Sequence, residues 1–398
     1  MQDGGIVIGG RPVVVAAAVL ALAFGACRRD AAGTEADGPA SRAAPAGGKA
    51  VYRGPLLEMT GDETQPVRVW NPAGKRVLDP YYAFERKGLA LVGREASLRL
   101  EGGRFFSAGA EEYLGGGLRN GGAMTLAAYV RPATATQKGA GCIVGYGPAK
   151  ADLLFALMQD RDALTFRIGR TKPTTVALFA LTSAKPCHVV VTVAPKGIVV
   201  YRDGARVGGR PGPGTDLTTW RDGMLILGAD AEGRRPWRGR LERVTLYNTA
   251  LSPAEAKALA TSVREEIGDR EPVPRIELTG TLRARSKYPM PWDRGFTYRD
   301  VLCVCEYEVN TVIRGEFEGR RIRVAEWVYV DRIFVTNSRN KIGATRRLTV
   351  EPLDVNPQLS TIQRADTLDL DIDALVYYDL SPLEALPPSK QPKPKKEK

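Results

Sequence analysis

Histidine is nearly absent: His188 is the only one among 398 residues. One imidazole can neither build a two-histidine zinc centre nor hand a proton to a second ring, so both arrangements are excluded. Long hydrophobic runs are missing as well. The apolar run from Val13 to Phe24 has twelve residues, whereas a helix needs about 20 to cross a bilayer. No cluster of lysine and arginine in the folded part interleaves with aromatic residues. A nucleic-acid surface requires that pattern, so no nucleic-acid partner is expected.

Glycine, by contrast, is abundant. Its 43 residues fall between short runs rich in Val, Leu, Ile and Tyr, which favours many short strands over long helices. The 43% apolar content suffices to bury cores, and the length suggests two domains. The formal charge is +12. Five tail lysines (Lys390, Lys393, Lys395, Lys396, Lys398) against Glu397 supply +4 of it, leaving +8 spread thinly. Such a surface suits anionic partners such as acidic glycans or lipid headgroups; a solvated basic exterior is the plainer reading.

Arg11-Pro12 precedes the apolar run, whose length fits the core of a signal peptide over residues 1–26. The segment Leu22-Ala23-Phe24-Gly25-Ala26-Cys27 resembles the lipobox of bacterial lipoproteins. The resemblance implies cleavage before Cys27 and a lipid on that cysteine, hence an exported, membrane-anchored protein. An ordinary secretory signal is the alternative. Arg28 after the cysteine is similar to outer-membrane lipoproteins, which implies an outer-membrane or cell-surface address. Residues 27–50, rich in Ala, Gly, Pro and Ser, read as a flexible tether.

Residues 51–263 read as a strand-rich domain. Strands are expected at 96–100, 124–130, 142–146, 153–158, 164–168 and 187–193, each bounded by turn or charged residues. The run 198–202 meets Asp203-Gly204, a strong hairpin signal, and 205–207 returns antiparallel. Runs 224–227 and 241–247 flank a loop rich in Gly and Arg at 228–239. Ser252-Pro253-Ala254-Glu255 then opens a helix, with Ser252 and Glu255 spaced for a capping box and Pro253 at its first position. Leu241 and Val244 differ in parity, so this last strand is either buried on both faces or bulged.

Four of these segments carry a resemblance. AMTLAAYVRP (123–132), CHVVVTV (187–193), VVYRDG (199–204) and the stretch from Met224 to Ala260, in that order, are similar to the strand motifs of laminin-G-like domains. The resemblance covers about residues 88–262 and implies a concanavalin A-like jelly-roll β-sandwich. The expected fold is all-β: that sandwich over 51–263, then a smaller antiparallel β module over 275–380.

The resembling fold also houses glycoside hydrolases, which need two carboxylates at the scissile bond. In those enzymes they alternate on one strand as E-x-D-x-E. The sandwich region has no such triplet, and Glu111-Glu112 are adjacent and would point to opposite sides. The domain is therefore expected to bind rather than to catalyse. The candidate contacts are Trp220, Arg234, Arg235 and Trp237, which fall in expected loops; arginine forks suit carboxylate or sulfate groups. The competing role for Trp237 is the packed aromatic of the family's turn. Calcium at the rim is an option in the family, and Asp230 and Glu232 are the donors singled out, together with Asp216 and Asp222. No other cofactor is expected. His188 falls where the family has a core histidine, and Asp203 is assigned to its hairpin turn.

Residues 269–274 (DREPVP) read as a hinge. Beyond it, strands are expected at 275–282, 301–314, 321–330, 346–350 and 369–378, forming a compact antiparallel barrel or sandwich. Val301, Cys303, Cys305, Tyr307 and Val309 share one face. Asp369, Asp371 and Asp373 alternate; a solvated face is the plain reading and a cation or acid–base site the alternative. Cys303 and Cys305 lie too far apart along one strand to bridge readily. Cys142–Cys187 is a possible pair, with buried thiols as the default. Residues 381–398, ending PPSKQPKPKKEK, read as a disordered basic tail. Two functions compete: a cell-envelope lipoprotein whose sandwich binds a carbohydrate, including an acidic polysaccharide, or a protein; and a scaffold subunit of an envelope or exopolysaccharide-related complex that uses both modules for protein contacts.

Overall fold

Asp203 and Gly204 hold φ at +52° and +83°, the left-handed pair that a two-residue type I′ turn demands. The strands Gly197–Arg202 and Ala205–Pro211 pair antiparallel on either side of it. The computed structural model describes residues 53–60, 67–70, 75–77, 84–107, 109–148, 152–169, 173–212, 216–368 and 375–394. The signal peptide, the tether, Cys27 and the run Asp369 to Asp373 lie outside them.

Two sheets form the sandwich. The larger has ten strands and is centred on Arg238–Tyr247, which pairs along its length with Met124–Pro132. Its other edge is shared: Leu98–Glu101 takes the first half and Pro55–Met59 the second. Between the halves the register shifts at Leu241/Arg243. That is the bulge which the parity of Leu241 and Val244 allows; both leucine and valine stay in the core, while Glu242 is buried on the outer side, against Arg270. The facing sheet has seven strands, including Ala140–Gly147, Phe155–Asp160 and Met224–Leu227. Val189, Val191 and Val193 of the first sheet share a core with Ile143, Phe155, Phe166 and Leu225 of the second. Each such side chain contributes about 1.5–3 kcal/mol when fully buried.

Two helices brace the sandwich. Helix α1, Glu111–Gly121, reads EEYLGGGLRNG, a glycine-rich string that sequence rules assign to a turn. Packing overrides propensity here. A Cβ on Gly121 would lie 2.1 Å from the Asn248 carbonyl oxygen, so a residue without a side chain lets the helix press onto the sheet. Helix α2, Pro253–Gly268, has the expected capping box: the Ser252 hydroxyl accepts from the Glu255 amide (3.3 Å), and the Glu255 carboxylate accepts from the Ser252 amide (2.7 Å). Its Ala256 packs with Ala127, Val190 and Tyr201 on the outer face of the large sheet.

The second module is a closed barrel. Its five main strands, Ile276–Arg285, Val301–Arg314, Arg321–Val330, Thr345–Pro352 and Val376–Asp379, run in the spatial order first, second, third, fifth, fourth, and back to the first. All neighbours are antiparallel except the third and fifth. That order with one parallel pair is the OB-type barrel. The 269–274 segment does not separate two bodies, for residues 50–398 form one compact unit. Leu89 and Leu91 share an apolar cluster with Leu302, Trp327 and Val330 of the barrel. Arg86 reaches Asp300 (2.5 Å), and the Gly88 amide donates to Asp331 (2.8 Å).

One expectation is corrected, and for the cysteines the default of buried thiols holds. The segment 381–391 is not a loose tail: Leu383 and Leu386 are buried, and the Gln391 side chain accepts from the Phe334 amide (3.0 Å) and donates to the Leu386 carbonyl (2.7 Å). Cys142 and Cys187 are free thiols on opposite sheets. Cys303 and Cys305 are free and buried too.

Candidate ligand-binding site

The loop 228–239 is held from within. The Asp230 carboxylate accepts from the amides of Glu232 (3.1 Å) and Arg234 (2.7 Å), and the Arg234 guanidinium bridges Asp230 (3.4 Å) and Glu232 (3.2 Å). The two candidate calcium donors are thus engaged in shaping their own turn. Among the described residues no group of three or more His, Cys, Asp or Glu side chains gathers as a metal site would require. Arg234 and Arg235 are exposed, and the cavity beside them is about 30 Å³, room for a water but not for a sugar ring.

Neither tryptophan is at the surface. Trp237 is fully buried, and its indole N–H donates to Gln159 Oε1 at 2.8 Å. Trp220 is 4% exposed and lies against Tyr146 and Phe155, with ring centroids 6.0 and 6.1 Å away. Both are core residues. Their loop positions place the backbone outside and the side chain inside, so the contacts expected of them are not available.

The structure instead gathers arginines that the sequence leaves scattered. Arg240 stands directly opposite Arg99 on one neighbouring strand and Arg131 on the other. Residues directly opposite in an antiparallel pair project from the same face. Leu98, Leu100, Val130 and Leu241, which alternate with them, fill the sandwich core, so the arginines point outward, toward the barrel. There they line two adjoining recesses of about 330 and 620 Å³, which Arg270 and Arg275 complete from the inter-module segment. No sequence period reveals this row, because it depends on the register of three strands far apart in the chain.

His188 offers no proton chemistry to either place. It is 2% exposed, its Nδ1 has no hydrogen-bond partner, and its ring lies 6.3 Å from that of Tyr129. Burial pushes its pKa down to about 4, against the pull of Asp203. The unfolded chain, with a histidine near 6.5, therefore takes up a proton that the folded one refuses. This stability is fully present above pH 6.5 and drains away as the pH falls toward 4, to a total of about 3 kcal/mol. In denaturant unfolding over that range, the stability of wild type relative to His188→Leu should fall by up to about 3 kcal/mol as the pH drops. A constant difference would show that the histidine is not held neutral.

A β-sandwich of lectin type, fused to a five-stranded barrel, is the class that these features define. Residues 108–257 match the model of the concanavalin A-like lectin/glucanases superfamily, and the laminin-G-like resemblance holds for that segment. No curated protein matches the chain. Among solved structures it is similar to the binding domain of botulinum neurotoxin serotype D/C (11% identity, 74% of this chain and 73% of that one, TM-score 0.42). It is also similar to the CBM40 of Ruminococcus gnavus IT-sialidase bound to α2,3 sialyllactose (15% identity, 35% and 82%, TM-score 0.31). A third is Trypanosoma rangeli sialidase in complex with the inhibitor DANA (20% identity, 52% and 32%, TM-score 0.37), of whose length the chain spans about a third.

Proposed function

We propose that this is an exported, lipid-anchored protein that binds carbohydrate without transforming it. The observation that carries the reading is a lectin-type sandwich whose outer face gathers arginines in a recess large enough for a sugar. Guanidinium groups bind carboxylate and sulfate groups through paired hydrogen bonds, so an acidic polysaccharide is the ligand class that suits this surface. Of the five carboxylates lining the two recesses, four serve as partners to arginines: Glu101 to Arg99, Glu95 and Glu242 to Arg270, Glu351 to Arg275; the fifth, Glu271, is exposed. None of the four arginine-paired carboxylates is left to protonate a leaving group. Attachment to the membrane through a lipid on Cys27 rests on the lipobox-like sequence before it.

Affinity electrophoresis of the purified protein through gels containing neutral or acidic polysaccharides tests the reading. Retardation by at least one polysaccharide is the expected result. Unchanged mobility in every gel would remove carbohydrate binding as the function.

A further inference from the structure

We propose that the cleft between the sandwich and the barrel is the binding site for the acid groups of a polysaccharide, with Arg131 and Arg240 as the principal contacts. This rests on the carbohydrate-binding reading above and adds the place and the chemistry.

The argument begins with a cost. Like charges directly opposite one another on neighbouring strands destabilise a sheet, and here three arginines stand in a row across three strands. With strands about 4.8 Å apart, the row is about 10 Å long. Its charges are unequally compensated. Arg99 is neutralised by Glu101 at 2.7 Å and donates to the Ser381 carbonyl at 2.6 Å. Arg240 comes only to 4.0 Å from Glu242, a carboxylate already bonded to Arg270 at 2.9 Å. Arg131 is exposed, and its guanidinium has no carboxylate or hydrogen-bond partner among the described residues. Burial holds the Arg240 guanidinium below its ordinary pKa, against the pull of Glu242, and the charges of Arg99, Arg131 and Arg275 press it the same way. The cleft is therefore short of negative charge at Arg131 and Arg240.

Two further atoms indicate what is missing. Arg270 commits Nε to Glu95 and Nη1 to Glu242, but its buried Nη2 has no partner. Gln358 donates to Asn356 at 2.9 Å, while its buried Oε1 accepts from nothing. Both residues line the same recess. An unpaired donor asks for an acceptor oxygen and an unpaired acceptor asks for a hydroxyl. A ligand carrying carboxylate or sulfate groups on a hydroxyl-rich frame supplies both. A nucleic acid fits less well, because the recess offers no exposed aromatic face on which bases could stack.

The test uses the full-length protein and two double variants, with polygalacturonate, dextran sulfate and neutral dextran as probes in titration calorimetry at low and high salt. R131Q/R240Q should weaken binding to the two acidic probes by about tenfold or more, the loss expected when charge-assisted hydrogen bonds are removed. R234Q/R235Q, which removes exposed arginines at the sandwich rim, should bind as wild type does. The melting temperature of R131Q/R240Q should stay level or rise, since opposed charges have been relieved; a purely structural role for these arginines would lower it. Unchanged affinity in R131Q/R240Q, or a loss confined to R234Q/R235Q, would overturn the cleft while leaving carbohydrate binding intact. Equal binding of neutral dextran would overturn acid recognition alone. If no probe binds wild type, the carbohydrate reading and the cleft fall together.

Discussion

Trp237→Ala should destabilise the protein by about 3–5 kcal/mol, the range for truncating a fully buried aromatic residue. The indole is among the largest completely buried side chains of the sandwich. It is also a bolt. Its N–H donates to Gln159, whose own amide donates to the carbonyls of Thr134, Ala135 and Arg161 at 3.1, 3.1 and 3.2 Å. Truncation therefore opens a cavity and leaves the buried Gln159 Oε1 without a donor, which by itself costs about 1–3 kcal/mol. Trp237→Phe separates the two effects, since it keeps most of the ring and loses only the N–H; it should fall near the lower figure. The glycine two residues on belongs to the same device, for a Cβ on Gly239 would lie 2.4 Å from the indole. This is the physical content of the aromatic-x-glycine pattern in the turn. Urea unfolding at neutral pH measures both variants. A midpoint for Trp237→Ala within about 1 kcal/mol of wild type would mean that the ring is not a core element.

That residue shows where sequence reading succeeds and stops. Local signals were legible. The Asp203-Gly204 turn, the Ser252–Glu255 capping box and the strand parities are each decided by a few neighbouring residues, and each lies where those residues put it. Trp220 and Trp237 were not legible as core, because a loop assignment describes the backbone and says nothing of the side chain's direction. The helix Glu111–Gly121 was hidden by its glycines, which serve close approaches to distant residues: Gly115 to Asp222, Gly117 to Leu56, and Gly121 to Asn248, 127 positions further on. The arginine row is less legible still. Arg99, Arg131 and Arg240 become neighbours only through strand register, a property of the whole sheet. One buried group did leave a trace: Glu326 interrupts the inward face marked by Ile322, Val324 and Val328, and a carboxylate in that phase signals a buried partner.

The partner is Arg346, and Arg346→Met should cost about 3–5 kcal/mol, as expected when one side of a buried ion pair is removed. Glu326 is 2% exposed; its Oε1 accepts from Arg346 Nη1 at 2.5 Å and from the Tyr307 hydroxyl at 2.6 Å. Burial raises its pKa above the ordinary carboxylate range, and the Arg346 charge opposes that rise. Arg346 also lies 3.5 Å from the buried Asp379, whose Oδ2 has no hydrogen bond. One cation thus serves two buried carboxylates, while four of the five barrel strands contribute to the cluster. Removing the arginine strands both acids in an apolar interior, whereas Glu326→Gln keeps an acceptor for Tyr307 and Arg346 and should cost only about 1–2 kcal/mol. The double change Glu326→Leu/Arg346→Met should recover much of the loss, because an apolar pair of similar volume replaces the ion pair and Asp379 keeps its bond from the Ser381 amide (2.9 Å). A double-mutant cycle of Glu326→Leu, Arg346→Met and the two together, followed by chemical denaturation, decides the matter. Additive costs would show that the two side chains act independently. An Arg346→Met loss no larger than that of Glu326→Gln would show that Asp379 does not depend on this arginine.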